Sequence, residues 1–290
     1  MKITVTGGSG FLGSHVADEL SLRGHKVSIF DKKKSKWIKK NQKMYFGDIL
    51  SFKHLKNSIK GSDVVFHFAA LADIDQALKE PIKTANINIL GTINVLELCR
   101  KYGVKRFVHA STIYVNSAEG GFYRSSKKAA EDYVEEYKKN YGLDYTILRF
   151  GSLYGSRAEN WNGVKKIVKN AVLNRKVSYS GNKNSIREYT HVSDAAKACA
   201  DILKNNYKNK HMIIKGAKKI KVSDFLKKLS KMLKIKSKIQ FQNKRYTGHY
   251  TLTPYTFKPK KGEKFILKSS TSFNDGLLQL VNELKKINRI

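Results

Sequence analysis

TVTGGSGFLGSH, residues 4–15, joins a short apolar stretch to a segment whose apolar residues recur at helical spacing. Gly8, Gly10 and Gly13 satisfy the pattern G-x-G-x-x-G. The alternative set Gly7, Gly10 and Gly13 satisfies G-x-x-G-x-x-G. In either register the glycines let the backbone turn sharply and approach a pyrophosphate closely, and the helix that follows offers unpaired N–H groups and a positive dipole. The stretch predicts a dinucleotide-binding turn between the first strand and the first helix.

An acidic residue follows this turn at the expected distance. Asp31 ends the second predicted strand, HKVSIFD, about 20 residues beyond the glycines. Its carboxylate can accept hydrogen bonds from both ribose hydroxyls of adenosine, and its charge repels a 2′-phosphate. These features favour NAD over NADP as the cofactor, although the run Lys32, Lys33 and Lys34 would soften that preference. A tight glycine turn that binds no ligand is the alternative reading.

Strand-like and helix-like segments alternate strictly through about residue 155, and this order predicts the fold class. It is typical of an α/β fold with a doubly wound parallel sheet, a Rossmann fold, covered by helices on both faces. After Tyr154 the pattern changes and predicts a smaller, partly interleaved C-terminal lobe. We expect an NAD-binding Rossmann domain over 1–156, to which 186–213 return, and a substrate-binding lobe over 157–290.

Composition excludes several classes of protein. With 290 residues, 41% of them apolar, the chain can bury a substantial core. The net charge of +34 comes mostly from lysines scattered along the whole chain, without the arginine and aromatic clusters of a base-reading surface. We therefore expect no specific nucleic-acid partner. The lack of a long apolar run, of a secretory block and of metal or disulfide spacing at Cys99 and Cys199 predicts a cytoplasmic protein without membrane or metal.

A second stretch, GFYRSSKKAAEDYVEEY, residues 121–137, places a tyrosine and a lysine on one helical face. Tyr123 and Lys127 are four positions apart. Alone, this spacing is common on surface helices. Combined with the glycine turn, it indicates a proton-transfer pair, because the lysine ammonium and the positive charge of a nicotinamide both favour the phenolate and lower the pKa of the tyrosine.

With these residues in hand, the chain resembles the extended short-chain dehydrogenase/reductases, and within them the NAD-dependent nucleotide-sugar epimerase/dehydratase family, UDP-glucose 4-epimerases in particular. The motifs that carry the resemblance run in family order from residue 6 to residue 196. They are TGGSGFLGSH, GDI (47–49), HFAA (67–70), NINILGT (86–92), STIYV (111–115), YRSSK (123–127), LRFGSLYG (148–155) and REYTHVSDAA (187–196).

The resemblance implies roles for individual residues. The catalytic set is Thr112, Tyr123 and Lys127. The cofactor is held by Gly7, Gly10, Phe11, Leu12, Gly13, Asp31, Asp48, Ile49, Ala69, Ala70, Asn88, Tyr123, Lys127 and Phe150. In this set Asn88 is expected to brace the loops on the cofactor side. The substrate, most commonly a UDP-sugar in this family, faces Thr112, Ser152 and Arg187, with Arg187 at its diphosphate. In relatives, helices corresponding to 84–102 and 125–140 pair to form a homodimer.

Two departures from the family pattern bear on the reaction. Thr112 and Tyr123 are closer in sequence than is usual, so the pocket should be more open or closed by another part, for which the segment 246–262 is the candidate. Thr112 is followed by Ile113 and Tyr114, where the 4,6-dehydratases of the family carry Asp and Glu. Ile113 cannot move a proton, and the decarboxylases also rely on an acidic residue nearby.

We therefore expect an NAD-dependent epimerase acting at C4 of a UDP-sugar through a transient 4-keto intermediate. A nucleotide-sugar 4-keto reductase or dehydrogenase is the alternative within the family, although Asp31 disfavours the NADPH that a reductase would commonly use. A dehydratase is a more distant alternative. From another class, a non-catalytic NAD-binding protein that senses redox state fits the shortened interval between Thr112 and Tyr123.

Overall fold

The computed structural model describes residues 1–242, 263–265 and 270–287 of the chain. Its strands are β1 (Lys2–Thr6), β2 (Lys26–Asp31), β3 (Gln42–Phe46), β4 (Val64–His67), β5 (Arg106–Thr112), β6 (Asp144–Phe150), β7 (Ser152–Tyr154), β8 (Ser178–Ser180), β9 (Ile186–Arg187), β10 (Tyr189–His191), β11 (Lys210–Ile214), β12 (Ile220–Lys221), β13 (Gln240–Gln242) and β14 (Glu263–Phe265).

The α-helices of this described part are α1 (Phe11–Leu22), α2 (Phe52–Ile59), α3 (Ile74–Lys79), α4 (Pro81–Ala85), α5 (Gly91–Lys101), α6 (Gly121–Tyr141), α7 (Gly163–Asn174), α8 (Val192–Asp201), α9 (Val222–Met232) and α10 (Phe273–Ile287). A π-helical turn, Asn86–Leu90, joins α4 to α5. Short 3-10 turns cover Ile113–Asn116 and Asn205–Tyr207.

The main sheet has the order β14-β11-β6-β5-β4-β1-β2-β3, and every neighbouring pair in it is parallel. The predicted α/β fold with a doubly wound parallel sheet is confirmed. The strand order reverses direction between β1 and β4, and in such sheets ligands bind in the crevice outside the carboxyl ends of the strands at this point. The glycine-rich turn after β1 lies at this crevice.

Helices cover both faces of the sheet. Val16, Ala17 and Leu20 of α1 share one buried core with residues of α8 and with the strands. A second core, on the opposite face, joins α2, α5 and α6 to the strands. The strands are buried on both faces, which explains their nearly continuous apolar runs.

A third core forms the C-terminal lobe from α7, α9 and α10, with Phe225 among its fully buried side chains. This lobe is tied to the sheet domain by Asp194 of α8, whose carboxylate accepts a hydrogen bond from the backbone N–H of Thr271 at 2.7 Å. β11 comes from the returning segment 186–213 and extends the main sheet. The exact division of the chain at residue 156 stays a prediction.

Residues 236–274, which show no clear periodicity in the sequence, include two short strands in their described part, β13 and β14. β14 pairs with β11 in parallel and forms one edge of the sheet. Its sequence, EKF, is too short to show the period of two that identifies a strand. The prediction that 246–262 closes the pocket lies outside the described residues.

Candidate active site

A cleft of about 1900 Å3 lies between the carboxyl ends of the sheet strands and the C-terminal lobe. Almost all residues that the sequence implicates line it. They are Gly7, Gly10, Phe11, Leu12, Gly13, Asp31, Asp48, Ile49, Ala69, Ala70, Thr112, Tyr123, Lys127, Phe150, Ser152 and Arg187. The fold therefore brings together residues that are spread from position 7 to position 187.

The glycine turn fits a dinucleotide. Gly7 has φ +71°, and a Cβ there would lie 2.6 Å from the backbone nitrogen of Ala69. A Cβ on Gly13 would lie 2.2 Å from the carbonyl oxygen of Gly7. Gly10 caps α1 without a side-chain hydrogen bond, so the first N–H groups of the helix remain directed toward the cleft. These residues leave backbone donors and space where a pyrophosphate would bind.

Asp31 lies at the carboxyl end of β2, next to this turn. Its Oδ2 accepts a hydrogen bond from the backbone N–H of Ser9 at 3.1 Å, and its Oδ1 accepts one from the N–H of Lys33 at 3.0 Å. These bonds fix the carboxylate at the edge of the cleft and leave it lone pairs for further donors. Lys32 and Lys33 also line the cleft. The position suits a residue that binds adenosine ribose hydroxyls.

Asn88 is the predicted cofactor-side residue that lies away from the cleft. It is 1% exposed, and its side chain accepts a hydrogen bond from the N–H of Leu71 at 2.8 Å and donates one to the Leu71 carbonyl at 3.0 Å. It also donates to the hydroxyl of Ser126 at 2.9 Å. Through these bonds Asn88 ties the loop after β4, which does line the cleft, to α6, and its role on the cofactor side stays a prediction.

Thr112 and Tyr123 meet at the floor of the cleft. Thr112 ends β5, and its side chain shares a hydrogen bond with that of Tyr123. The short connection between them turns at Gly120, just before α6, and at Gly121, its first residue, which adopt φ +98° and +50°. A Cβ on Gly120 would meet Tyr114 at 2.8 Å and Arg124 at 2.9 Å. Glycine is therefore needed for the turn that delivers Tyr123 to Thr112.

Burial controls the ionisation of the pair. It raises the pKa of Tyr123 to about 12, against the opposing effect of the Thr112 hydrogen bond. It lowers the pKa of Lys127 to about 8, against the opposing charge of Glu131. In the protein alone the net shift of the Tyr123 pKa is therefore upward, because burial disfavours the charged form of each group, and the effect of a charged Lys127 on Tyr123 stays a prediction.

Two histidines pack near Lys127, on the face of the sheet that α6 covers. His67 bonds the hydroxyls of Thr6 and Thr92 at 2.7 and 3.0 Å. The rings of His67 and His109 stack at 5.8 Å. Burial, and then the charge of Lys127, lowers the pKa of His67 to about 3 and lowers that of His109 strongly. Both rings are therefore neutral at physiological pH.

Sequence analysis missed the lobe side of the cleft. Trp161, Asn162, Lys166, Asn170, Tyr179 and Lys183 line that wall. Asn162 caps α7 by accepting a hydrogen bond from the N–H of Lys165 at 3.1 Å. Lys166 and Asn170 lie one turn apart on α7, and this i,i+4 spacing was the sequence feature that could have placed both on one face of the helix. Nothing in the local pattern says that this face meets the cleft.

No helix in the described part of the chain is both long and apolar enough to cross a membrane. The described residues also contain no group of three or more His, Cys, Asp and Glu side chains arranged to hold a metal ion.

Comparison with known proteins agrees with this geometry. The model of the NAD dependent epimerase/dehydratase family matches residues 3–214. A protein of Methanocaldococcus jannaschii with the provisional name UDP-glucose 4-epimerase is 29% identical, with 99% of each chain covered. A dTDP-D-glucose 4,6-dehydratase of Dictyostelium discoideum is 30% identical over 70% of this chain and 55% of its own.

A solved structure extends the similarity to the whole fold. The UDP-glucose 4-epimerase of Thermus thermophilus in complex with NAD is 26% identical and has a TM-score of 0.81, with 98% of this chain and 99% of that one covered. The matched family model covers the whole predicted motif series and ends at the last residue of β11. The chain belongs to the NAD-dependent epimerase/dehydratase family of extended short-chain dehydrogenase/reductases, and its cofactor is NAD.

Proposed function

We propose that the protein is a nucleotide-sugar 4-epimerase that inverts C4 of a UDP-sugar through a transient 4-keto intermediate. The observation that carries the proposal is the pairing of Tyr123 with Thr112 at the floor of the cleft, with Lys127 one turn away. This arrangement suits the removal and return of the proton of a sugar hydroxyl.

In this proposal the cofactor is held by the glycine turn, by Asp31 at the adenosine ribose and by Lys127 at the nicotinamide ribose. Bound NAD supplies a hydride acceptor that also returns the hydride. Thr112 hydrogen-bonds the reacting sugar hydroxyl and orients it. The phenolate of Tyr123 takes the proton of that hydroxyl and gives it back after the keto-sugar has turned in the site.

The proton can reach the Tyr123 phenolate only if the burial penalty on that phenolate is overcome. A pKa of about 12 leaves the phenol protonated in the protein alone. A charged Lys127 and the positive nicotinamide both favour the phenolate, since each places a positive charge near the oxygen. Lys127 therefore serves as an electrostatic partner as well as a ribose ligand.

The residues after Thr112 favour epimerisation over elimination. Ile113 is 2% exposed and Tyr114 lines the cleft, so neither supplies the carboxyl group that removal of water from the sugar would use. The names of several relatives, among them a UDP-glucuronate 4-epimerase of Thermodesulfobacterium geofontis at 26% identity, support a UDP-sugar substrate. On the lobe side, Arg187 and Lys166 are cations of the cleft that suit its diphosphate.

The experiment is a panel of UDP-hexoses, their N-acetyl forms and their uronic acids, incubated with the purified protein and analysed for interconversion. Wild-type protein is expected to equilibrate one C4 pair without net consumption of NADH. Tyr123→Phe is expected to lower kcat by about 100-fold or more while NAD binding is kept. Net oxidation of NADH by a keto-sugar would favour a reductase, and bound NAD with no turnover across the panel would favour the redox-sensing alternative.

We also propose a homodimer formed by α5 and α6. On α6, the apolar residues Ala130, Val134 and Tyr137 are buried, and the last two belong to the core beneath the helix. Tyr133 is 44% exposed and Tyr141 is 56% exposed, so they remain for a second copy. Light scattering is expected to give twice the mass of one chain, and Tyr133→Glu is expected to give monomers.

A further inference from the structure

A carboxylate that the proposed chemistry does not use lies one turn beyond Lys127 on α6. Tyr123, Lys127 and Glu131 follow at intervals of four residues, so they form one stripe along the helix. Glu131 is 2% exposed and is not among the residues that line the cleft. It is therefore placed behind the reacting groups, with Lys127 between it and Tyr123.

Glu131 is fixed by a bidentate ion pair with Arg149 of β6. Nε of Arg149 lies 3.0 Å from Oε1 of Glu131, and Nη2 lies 2.6 Å from Oε2. A buried carboxylate is costly unless it is paired in this manner, and the fork of the guanidinium fixes its orientation. His211 of β11 lies 3.8 Å from Oε2 of Glu131. Burial, and then the charge of Arg149, lowers the pKa of His211, so its ring is neutral at physiological pH and leaves the ion pair intact.

We infer that Glu131, held by Arg149, is a positioning residue that keeps the Lys127 side chain charged beside Tyr123. The inference rests on the proposed function, because it concerns the charge that Lys127 lends to the Tyr123 phenolate. Glu131 acts through Lys127 and touches neither substrate nor cofactor. Arg149 acts one step further back, since its two hydrogen bonds fix the position of the Glu131 carboxylate.

The surroundings of Lys127 explain why a carboxylate is needed there. His67 approaches it from β4 and His109 from β5, and both are neutral. Tyr123, on the same helix, is protonated in the protein alone. Asn88, which bonds the neighbouring Ser126, and Thr92, which bonds His67, carry no charge. Among the groups that the structure describes around Lys127, Glu131 supplies the negative charge that opposes the burial of the ammonium.

The first test measures the charge state of Lys127 directly, without any sugar substrate. NAD-free protein is labelled with a trace of acetic anhydride over pH 6–10, and the peptide that carries Lys127 is quantified by mass spectrometry. Only the uncharged amine reacts, so the midpoint of labelling reports its pKa. Glu131→Gln is expected to move the midpoint to lower pH by about one unit. Glu135→Gln, one turn further along α6 and bonded to His211 at 2.7 Å, is the matched control and leaves the midpoint in place.

The second test uses turnover. Activity that needs a charged Lys127 falls as the pH rises through the pKa of this group. The alkaline limb of kcat is therefore expected at lower pH in Glu131→Gln than in wild type and in Glu135→Gln. Glu131→Asp, which keeps the carboxylate, is expected to restore most of the wild-type profile.

Superimposable labelling curves for wild type and Glu131→Gln would overturn the inference and leave the proposed function standing. A shifted labelling midpoint in a protein that turns over no UDP-sugar would support the role of Glu131 and reject the proposed function. Removal of Glu131 leaves Arg149 buried without its partner, which destabilises the fold. The double variant Glu131→Gln/Arg149→Met removes both charges, and a smaller shift of the midpoint in the same direction is expected.

Discussion

Replacement of Gly13 by alanine tests the glycine turn as the binding site for the pyrophosphate of NAD. The added Cβ would lie 2.2 Å from the carbonyl oxygen of Gly7, 2.8 Å from its carbonyl carbon and 3.0 Å from Cα of Gly8. All three are backbone atoms, so the turn itself has to move by about 1 Å to reach normal contact. Such overpacking costs about 1–3 kcal/mol. Since the turn provides the binding surface, we expect the Kd for NAD to rise by about 10- to 100-fold.

Isothermal titration calorimetry of NAD into the wild-type and Gly13→Ala proteins measures this change. The matched control is Gly24→Ala at the other end of α1. Gly24 has φ +81° and open space around its Cβ position, so alanine costs about 1–2 kcal/mol of backbone strain away from the cleft. We expect the control to lower Tm by about 2–4 °C for each kcal/mol and to keep the wild-type Kd. A Gly13→Ala protein that binds NAD as tightly as wild type would refute the assignment of the glycine turn as the pyrophosphate site.

Three further predictions follow from single contacts. Asp31→Asn removes the negative charge proposed to lie beside the adenosine ribose, so the ratio of NADP to NAD affinity should rise by about 10-fold in a binding titration. An unchanged ratio would argue against Asp31 as the ligand of the ribose hydroxyls. Glu119 lines the cleft with Tyr123, but 4-epimerisation needs no second acid. Glu119→Gln should therefore keep kcat within a few-fold of wild type. A loss of about 100-fold in kcat would indicate elimination chemistry instead. The folded-state pKa of His67, about 3, lies below its ordinary value of 6.5, so its stabilising contribution is complete above pH 6.5 and declines as the pH falls toward 3. Urea denaturation should show a loss of about 2 kcal/mol from this group between pH 6.5 and pH 5, and His67→Gln should remove that part of the slope.

The features that sequence analysis predicted well are local in the chain. The turn around Gly10 and the acid at Asp31 follow from the βαβ order, in which each strand returns the chain to the same edge of the sheet. Tyr123 and Lys127 follow from one helical turn. In each case the distance between the groups is set by secondary structure, so residue spacing is enough to place them.

The features that were missed depend on packing between distant segments. Glu131 and Arg149 lie on different elements, and only the pairing of β6 with its neighbours and with α6 brings their charges together. Asn88 could be placed at the cofactor side from its motif, but its side chain turns to Leu71 because a buried amide needs partners for its N–H and carbonyl groups. The edge strand Glu263–Phe265 is too short for any periodicity to be visible.

The raised pKa of Tyr123 was missed for the same reason, and it bears on how the site works. A spacing of four residues indicates that an ammonium is close to a phenol, but it says nothing about how much water surrounds either group. In the folded protein, burial moves both pKa values toward the neutral forms, with Tyr123 at about 12 and Lys127 at about 8. A phenolate beside an ammonium is therefore disfavoured until further charge enters the cleft. A bound NAD would place a positive nicotinamide near the phenol and favour the phenolate directly, whereas the carboxylate of Glu131, on the far side of Lys127, favours it only through the ammonium. The free protein thus holds its tyrosine protonated, and we expect the capacity to accept a proton to arise when NAD binds.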